Sequence, residues 1–147
     1  LTATHTYQSS FWTWPLDLRS VWYYVNYLPN TVANIYALGN PIIFWAGIPA
    51  MFYTLYKRKW LLVIGYLAFW LPWARAPRIM FLYHYLPSVP FLCMAIAYSL
   101  SQTKNKILTF IILSFTFLSF VYFFPIWVGI PIPKNLVNQY FWLPGWK

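Results

Sequence analysis

The sequence predicts an all-α, polytopic membrane helical bundle of about four transmembrane helices. Three observations predict it. First, 61% of the 147 residues are apolar and 24% aromatic, while charged residues make up only 7%, against roughly 25% in an ordinary soluble domain. Too few charges remain to cover a water-facing surface, and the chain is too apolar for disorder. Second, the ten Lys and Arg sit in small groups between long uncharged stretches, the pattern of a membrane protein with several spans. Third, four apolar runs follow one another from Val32 to Val128, joined by short basic or Pro-containing links.

The remaining composition narrows the function classes. The net charge of +9 does not indicate nucleic acid, because that reading needs cations gathered on one face of a soluble module. Asp17 is the only acid, so a site needing two carboxylates cannot be built from this chain alone. Cys93 is the only cysteine, so no internal disulfide forms and compartment cannot be read from it. The chain starts at Leu1 and lacks a basic segment followed by a short apolar core. No signal peptide is expected, and the chain reads as a piece of a longer protein.

The elements follow in order. Residues 1–31 crowd Trp12, Trp14, Trp22, Tyr23, Tyr24 and Tyr27 and read as an external loop at the membrane interface, where an apolar ring sits beside a polar tip. A buried aromatic cluster is the alternative. The four-span region covers 32–128. Asn40–Pro41 starts the first helix, since Asn caps free amides and Pro tolerates the first helical position. That helix is expected over 41–56, kinked near Pro49, and Lys57–Lys59 close it. The second, over 60–74, is short for a bilayer core of roughly 30 Å, and Pro72 and Pro77 end it. Pro87 and Pro90 interrupt the third run, so 75–86 is expected as an external or re-entrant piece and 87–102 as the helix. The fourth, 107–128, is the cleanest. Residues 129–147 form an external tail rich in Pro and Trp.

Four spans put both termini on one side. The loops carry five cations on each side, and the compact Lys57–Lys59 cluster favours its own side as cytoplasmic.

Chemistry concentrates in Arg75-Ala-Pro-Arg78-Ile-Met-Phe-Leu-Tyr83-His84-Tyr85-Leu-Pro87. Arginine at a membrane boundary binds phosphate through paired hydrogen bonds, and His and Tyr add donors. The alternative is that both arginines only snorkel to headgroups. An ideal helix separates Arg78 from His84 and aligns Arg78 with Tyr85, whereas an extended segment aligns Arg78 with His84. His5 and Tyr7, beside Trp12 and Trp14, are a second candidate. Asp17 is placed to pair with Arg19. The chain has no Gly-rich phosphate loop, no nucleophile elbow and no metal-ligand spacing.

In four passages the chain resembles the C-terminal four-span region of the protein O-mannosyltransferase family, especially its bacterial members: THTYQSSFWTWPL, ALGNPIIFW, PRIMFLYHYLPSVPF and YFWLPGWK. The resemblance implies the C-terminal part of an inverting GT-C glycosyltransferase. Such an enzyme moves mannose from a polyprenyl-phosphate-mannose donor to Ser or Thr of exported proteins and needs no cofactor. It further implies that the catalytic acidic motif lies in an N-terminal part outside this chain, so that this piece is inactive alone. The substrate-binding candidates are then Arg78, Arg75, His84, Tyr83 and Tyr85, with His5 and Tyr7 at the rim. The expected setting is a bacterial plasma membrane with both ends of the piece external, and the expected partners are the lipid bilayer, the donor, the acceptor proteins and the rest of the enzyme.

Two other classes remain at this point. A small transport or channel subunit usually holds ionisable groups at mid-membrane depth, whereas here they cluster at helix ends. A non-enzymatic assembly or anchoring protein needs only uninterrupted spans, which the Arg75–Pro87 segment does not provide.

Overall fold

Helix α1 (Pro41–Tyr56) begins on a complete cap: the Asn40 side chain accepts hydrogen bonds from the amides of Ile42 and Ile43 at 3.1 and 3.4 Å, and Pro41 takes the first turn. In this computed structural model, which describes residues 4–147, α1 continues through Pro49. Phe44, Gly47, Ala50 and Thr54 form its buried stripe, at the three- and four-residue spacing of one helix face.

Small residues set how closely the helices approach. A Cβ on Gly47 would collide with the Leu92 side chain of α3 (Val89–Thr103). The contact continues along the pair through a hydrogen bond from Ser99 Oγ to the Ala50 carbonyl at 3.5 Å. Close approach through small residues is how helices pack where lipid supplies no hydrophobic drive between them.

Helix α2 (Trp60–Trp70) tightens into a 3-10 turn, Leu71–Arg75, at Pro72. The chain then runs without regular structure to a second 3-10 segment, Leu82–Ser88, which leads into α3. Helix α4 (Lys106–Val128) is capped by Asn105, whose side chain accepts from the Leu108 amide at 3.0 Å, and ends at Gly129 with φ 78°. Glycine takes this left-handed conformation without a Cβ penalty. Among the described residues, α4 is the helix long and apolar enough to cross a membrane, with a mean hydropathy of 2.3 in its best window. Only Ser119, Phe123 and Ile126 of it are buried, so most of its flank remains uncovered.

Residues 21–37 depart from the all-α expectation. Strands β1 (Val21–Tyr27) and β2 (Thr31–Ala37) form an antiparallel hairpin, and β3 (Ile132–Pro133) pairs with the start of β2. The physical reason is local: Val, Tyr, Trp and Thr favour a pleated surface, and Val32, Asn34 and Tyr36 share one face of β2. A shift in register between Trp22 and Tyr24 marks a bulge. The expected interfacial loop is thus partly strand. Its Trp residues divide between the two readings, since Trp12 is exposed and Trp14 fully buried.

The tail is also tied down. Trp146 is fully buried, its indole donates to the Asp17 carbonyl, and its own carbonyl accepts from Ser20 Oγ at 2.8 Å. Asp17 does not pair with Arg19. Its Oδ1 accepts from the Gly39 amide at 3.4 Å, while Arg19 donates to the Thr6 carbonyl at 2.6 Å.

Two cores result. One gathers Trp14, Phe44, Tyr66, Leu82, Tyr85 and Leu92, and the other Tyr36, Phe123, Ile126, Ile132 and Trp146. The alternating helices place the turns at residues 57–59 and 104–105 at one end. The sheet, residues 71–88 and the tail gather at the other.

Candidate functional site

The site grows out of the broken stretch between α2 and α3. Pro72 and Pro77 prevent α2 from continuing, so residues 76–81 lie outside any helix and the chain turns back at Leu82. This brings Arg78 and His84 together, with Arg78 Nη2 3.2 Å from His84 Nε2. Guanidinium only donates, so Nε2 is the acceptor in this contact. Nδ1 faces the Phe81 backbone, 3.2 Å from its amide and 3.0 Å from its carbonyl. His84 is therefore fixed at Nδ1 by the Phe81 backbone and holds the arginine through Nε2.

Aromatic rings enclose the pair. The imidazole stacks against Trp14 at 6.0 Å and against Tyr83 at 4.5 Å, and meets Trp73 edge-on at 4.2 Å. Arg78 also lies over the Trp73 ring at 5.9 Å, a distance at which the ring quadrupole attracts a cation. Arg75 and Arg78 are both exposed, and His84 and Tyr83 are half-buried. No carboxylate competes for the arginines, because Asp17 is fully buried elsewhere.

The N-terminal loop forms one wall. The Ser9 amide donates to the Met80 carbonyl at 2.9 Å, and the exposed His5 ring meets Phe81 edge-on at 5.0 Å. His5 Nδ1 accepts from the Tyr7 amide at 3.2 Å. The two candidate stretches thus converge at one end of the molecule. Tyr85 takes another place: it is fully buried, and its hydroxyl lies 2.7 Å from that of Tyr66. It faces the core while its neighbour His84 faces the arginine.

Trp73 and Trp14 are site residues that the sequence reading did not select for the arginine–histidine pair. Their signal is present in the chain, because Trp73 precedes Arg75 and Trp14 precedes Pro15, but Trp14 is expected at the interface and Trp73 inside the second span. Asp17 is a third residue with unusual properties. Burial pushes its carboxyl from 3.8 to about 7, against a smaller downward pull from the Gly39 amide.

The family model described as the C-terminal four TMM region of protein-O-mannosyltransferase matches residues 1–58 and 51–146. The polyprenol-phosphate-mannose–protein mannosyltransferase of Mycobacterium tuberculosis (strain ATCC 25618 / H37Rv) is 27% identical over 170 residues, covering 97% of this chain and 33% of the relative. Dolichyl-phosphate-mannose–protein mannosyltransferase 1 of Saccharomyces cerevisiae is 28% identical over 182 residues, covering 99% of this chain and 22% of the relative. In fold, the chain superimposes with a TM-score of 0.77 on the S. cerevisiae protein O-mannosyltransferase Pmt1–Pmt2 complex bound to the sugar donor, at 24% identity over 99% of this chain and 24% of that one. The chain thus spans a third or less of the length of these relatives. It belongs to the protein O-mannosyltransferase family, as its integral-membrane C-terminal region.

Proposed function

We propose that the enzyme containing this chain transfers mannose from polyprenyl-phosphate-mannose to Ser or Thr hydroxyls of exported proteins, with inversion at the sugar carbon. In this reading the chain binds the donor phosphate and shapes the acceptor cleft. The observation that carries the proposal is the exposed Arg78, held by His84 inside an aromatic cage. The leaving group is the carrier phosphate, and a fixed cation beside it stabilises the charge that develops as the glycosidic bond breaks. Arg75 and Tyr83 add donors at the same boundary. The base that takes the acceptor proton lies in the part of the enzyme beyond this chain, because the sole acid here is buried.

The lipid tail finds apolar walls nearby. A groove of about 350 Å³ runs between α1, α2 and the N-terminal loop, lined by Trp12, Leu16, Met51, Leu55, Leu67 and Trp70. In this reading the membrane is the bacterial plasma membrane, Lys57–Lys59 face the cytoplasm, and the sheet, the Arg75–Pro87 segment and both ends of the chain face outside. The piece alone is inactive.

The test is Arg78→Ala in the full-length enzyme, assayed with a polyprenyl-phosphate-mannose donor and a Ser/Thr peptide. Loss of one such donor costs about 10²–10³ in kcat, with membrane insertion unchanged. Unchanged turnover and donor affinity would remove Arg78 from the site.

A further inference from the structure

The face of the sheet turned toward the tail carries a pocket that the donor reading does not use. Its volume is about 330 Å³, within the range of small-ligand sites of about 300–1,000 Å³. Trp22 and Tyr36 form its floor as near-parallel rings 5.9 Å apart, and Phe141 from the tail stands edge-on to Tyr36 at 5.4 Å. Asn34 is 97% buried beside them, and its Oδ1 accepts from the Trp22 indole at 3.1 Å. Its Nδ2 has no hydrogen-bond partner among the described residues, so the donor remains for an occupant. Lys134 and Lys147 are exposed at the mouth. Lys134 Nζ donates to the Pro29 carbonyl at 3.0 Å, which fixes the ammonium and leaves two of its protons unassigned.

The pocket is connected to the arginine site. Tyr7 lines it and meets Trp22 edge-on at 6.4 Å. From Tyr7 the rings of His5 and Phe81 lead on at 6.0 and 5.0 Å, and Phe81 stacks on His84 at 6.3 Å. One aromatic track therefore joins the sheet pocket to Arg78. The charge along it has one sign, since the chain's only carboxylate is buried at Asp17.

We infer that this pocket is a subsite for the acceptor polypeptide, holding a side chain that flanks the glycosylated hydroxyl and selecting acidic or neutral residues over basic ones. The inference rests on the transferase reading above and adds a specificity to it. The aromatic floor holds the flank by stacking, Asn34 Nδ2 donates to it, and the two ammonium groups attract a carboxylate and repel another cation.

The experiment uses the full-length enzyme, polyprenyl-phosphate-mannose and three peptides sharing one Ser/Thr core, flanked by Glu, Gln or Lys. The expected order of kcat/KM is Glu above Gln above Lys. The Glu–Lys gap should be about fivefold, the scale of exposed charge pairs, and should narrow as salt rises. Lys134→Gln with Lys147→Gln should flatten the order, and Lys134→Glu with Lys147→Glu should invert it. Equal use of all three peptides by the wild type overturns the inference, as does an order that survives both double variants. If the Gln peptide receives no mannose at all, the transferase reading fails, and the inference falls with it.

Discussion

Asp17→Asn isolates a single buried ionisation. Asp17 sits at φ 53°, a left-handed conformation that Asn tolerates at least as well as Asp. The substitution keeps the side-chain shape and the acceptor for the Gly39 amide. It removes only the group that titrates. Oδ2 is buried and has no partner among the described residues, so only the Gly39 amide on Oδ1 offsets part of the cost of charging the carboxyl. Burial raises the carboxyl from 3.8 to about 7. The folded state therefore holds a proton that the unfolded chain has already released. Stability is full below pH 3.8 and declines as pH rises toward 7, where the folded carboxyl finally ionises. At ~1.36 kcal/mol per tenfold change in proton affinity, the whole decline is ~4 kcal/mol, of which ~3 kcal/mol falls between pH 5 and pH 8. Thermal unfolding of the detergent-solubilised enzyme, followed by tryptophan fluorescence, reads this directly. The wild type should melt several degrees lower at pH 8 than at pH 5. Asp17→Asn should lose that part of the slope and be the more stable protein at pH 8. An unchanged slope, or a variant less stable than wild type at pH 8, would mean that the carboxylate has a stabilising partner and that the argument from burial is wrong.

Two further outcomes test other parts of the structure. Gly47→Ala sets a methyl against Leu92 and should cost ~1–3 kcal/mol through overpacking of α1 on α3. A melting temperature equal to wild type would show that the two helices have slack. Replacing Lys57, Arg58 and Lys59 with Gln should leave mannosyl transfer largely intact, since that turn lies at the end of the bundle away from Arg78. Cysteine labelling should find the turn on the cytoplasmic side, and labelling from outside would overturn the orientation.

Much of the helical layout was legible because its signals are local. Asn40–Pro41 names its helix start from two adjacent residues, and the amides of Ile42 and Ile43 accept that reading. The strands were harder, because Trp22, Tyr23, Tyr24 and Tyr27 suit a membrane interface as well as a pleated surface. Pairing with β2 and β3, far along the chain, decides between the two. The chemistry of Arg78 and His84 was visible in the sequence, but their contact was not. It needs an extended approach followed by a tight turn, and neither ideal periodicity describes that path. The same turn separates His84 from Tyr85, which were read together and face opposite ways. Asp17 illustrates the limit most clearly. Its nearest cation in sequence is Arg19, yet the decisive contacts come from Gly39 and Trp146.

The latch between Ser20 and Trp146 also has a meaning in the order of synthesis. Its partners are 126 residues apart, so the early loop cannot be sealed until the residues up to Trp146 have emerged. Until Gly145 and Trp146 arrive, Asp17 has no indole over its carbonyl, and the second core lacks a principal ring. The end of the molecule that carries the arginine, the sheet and the tail is therefore the last to consolidate. A chain lacking these residues leaves that end of the molecule open.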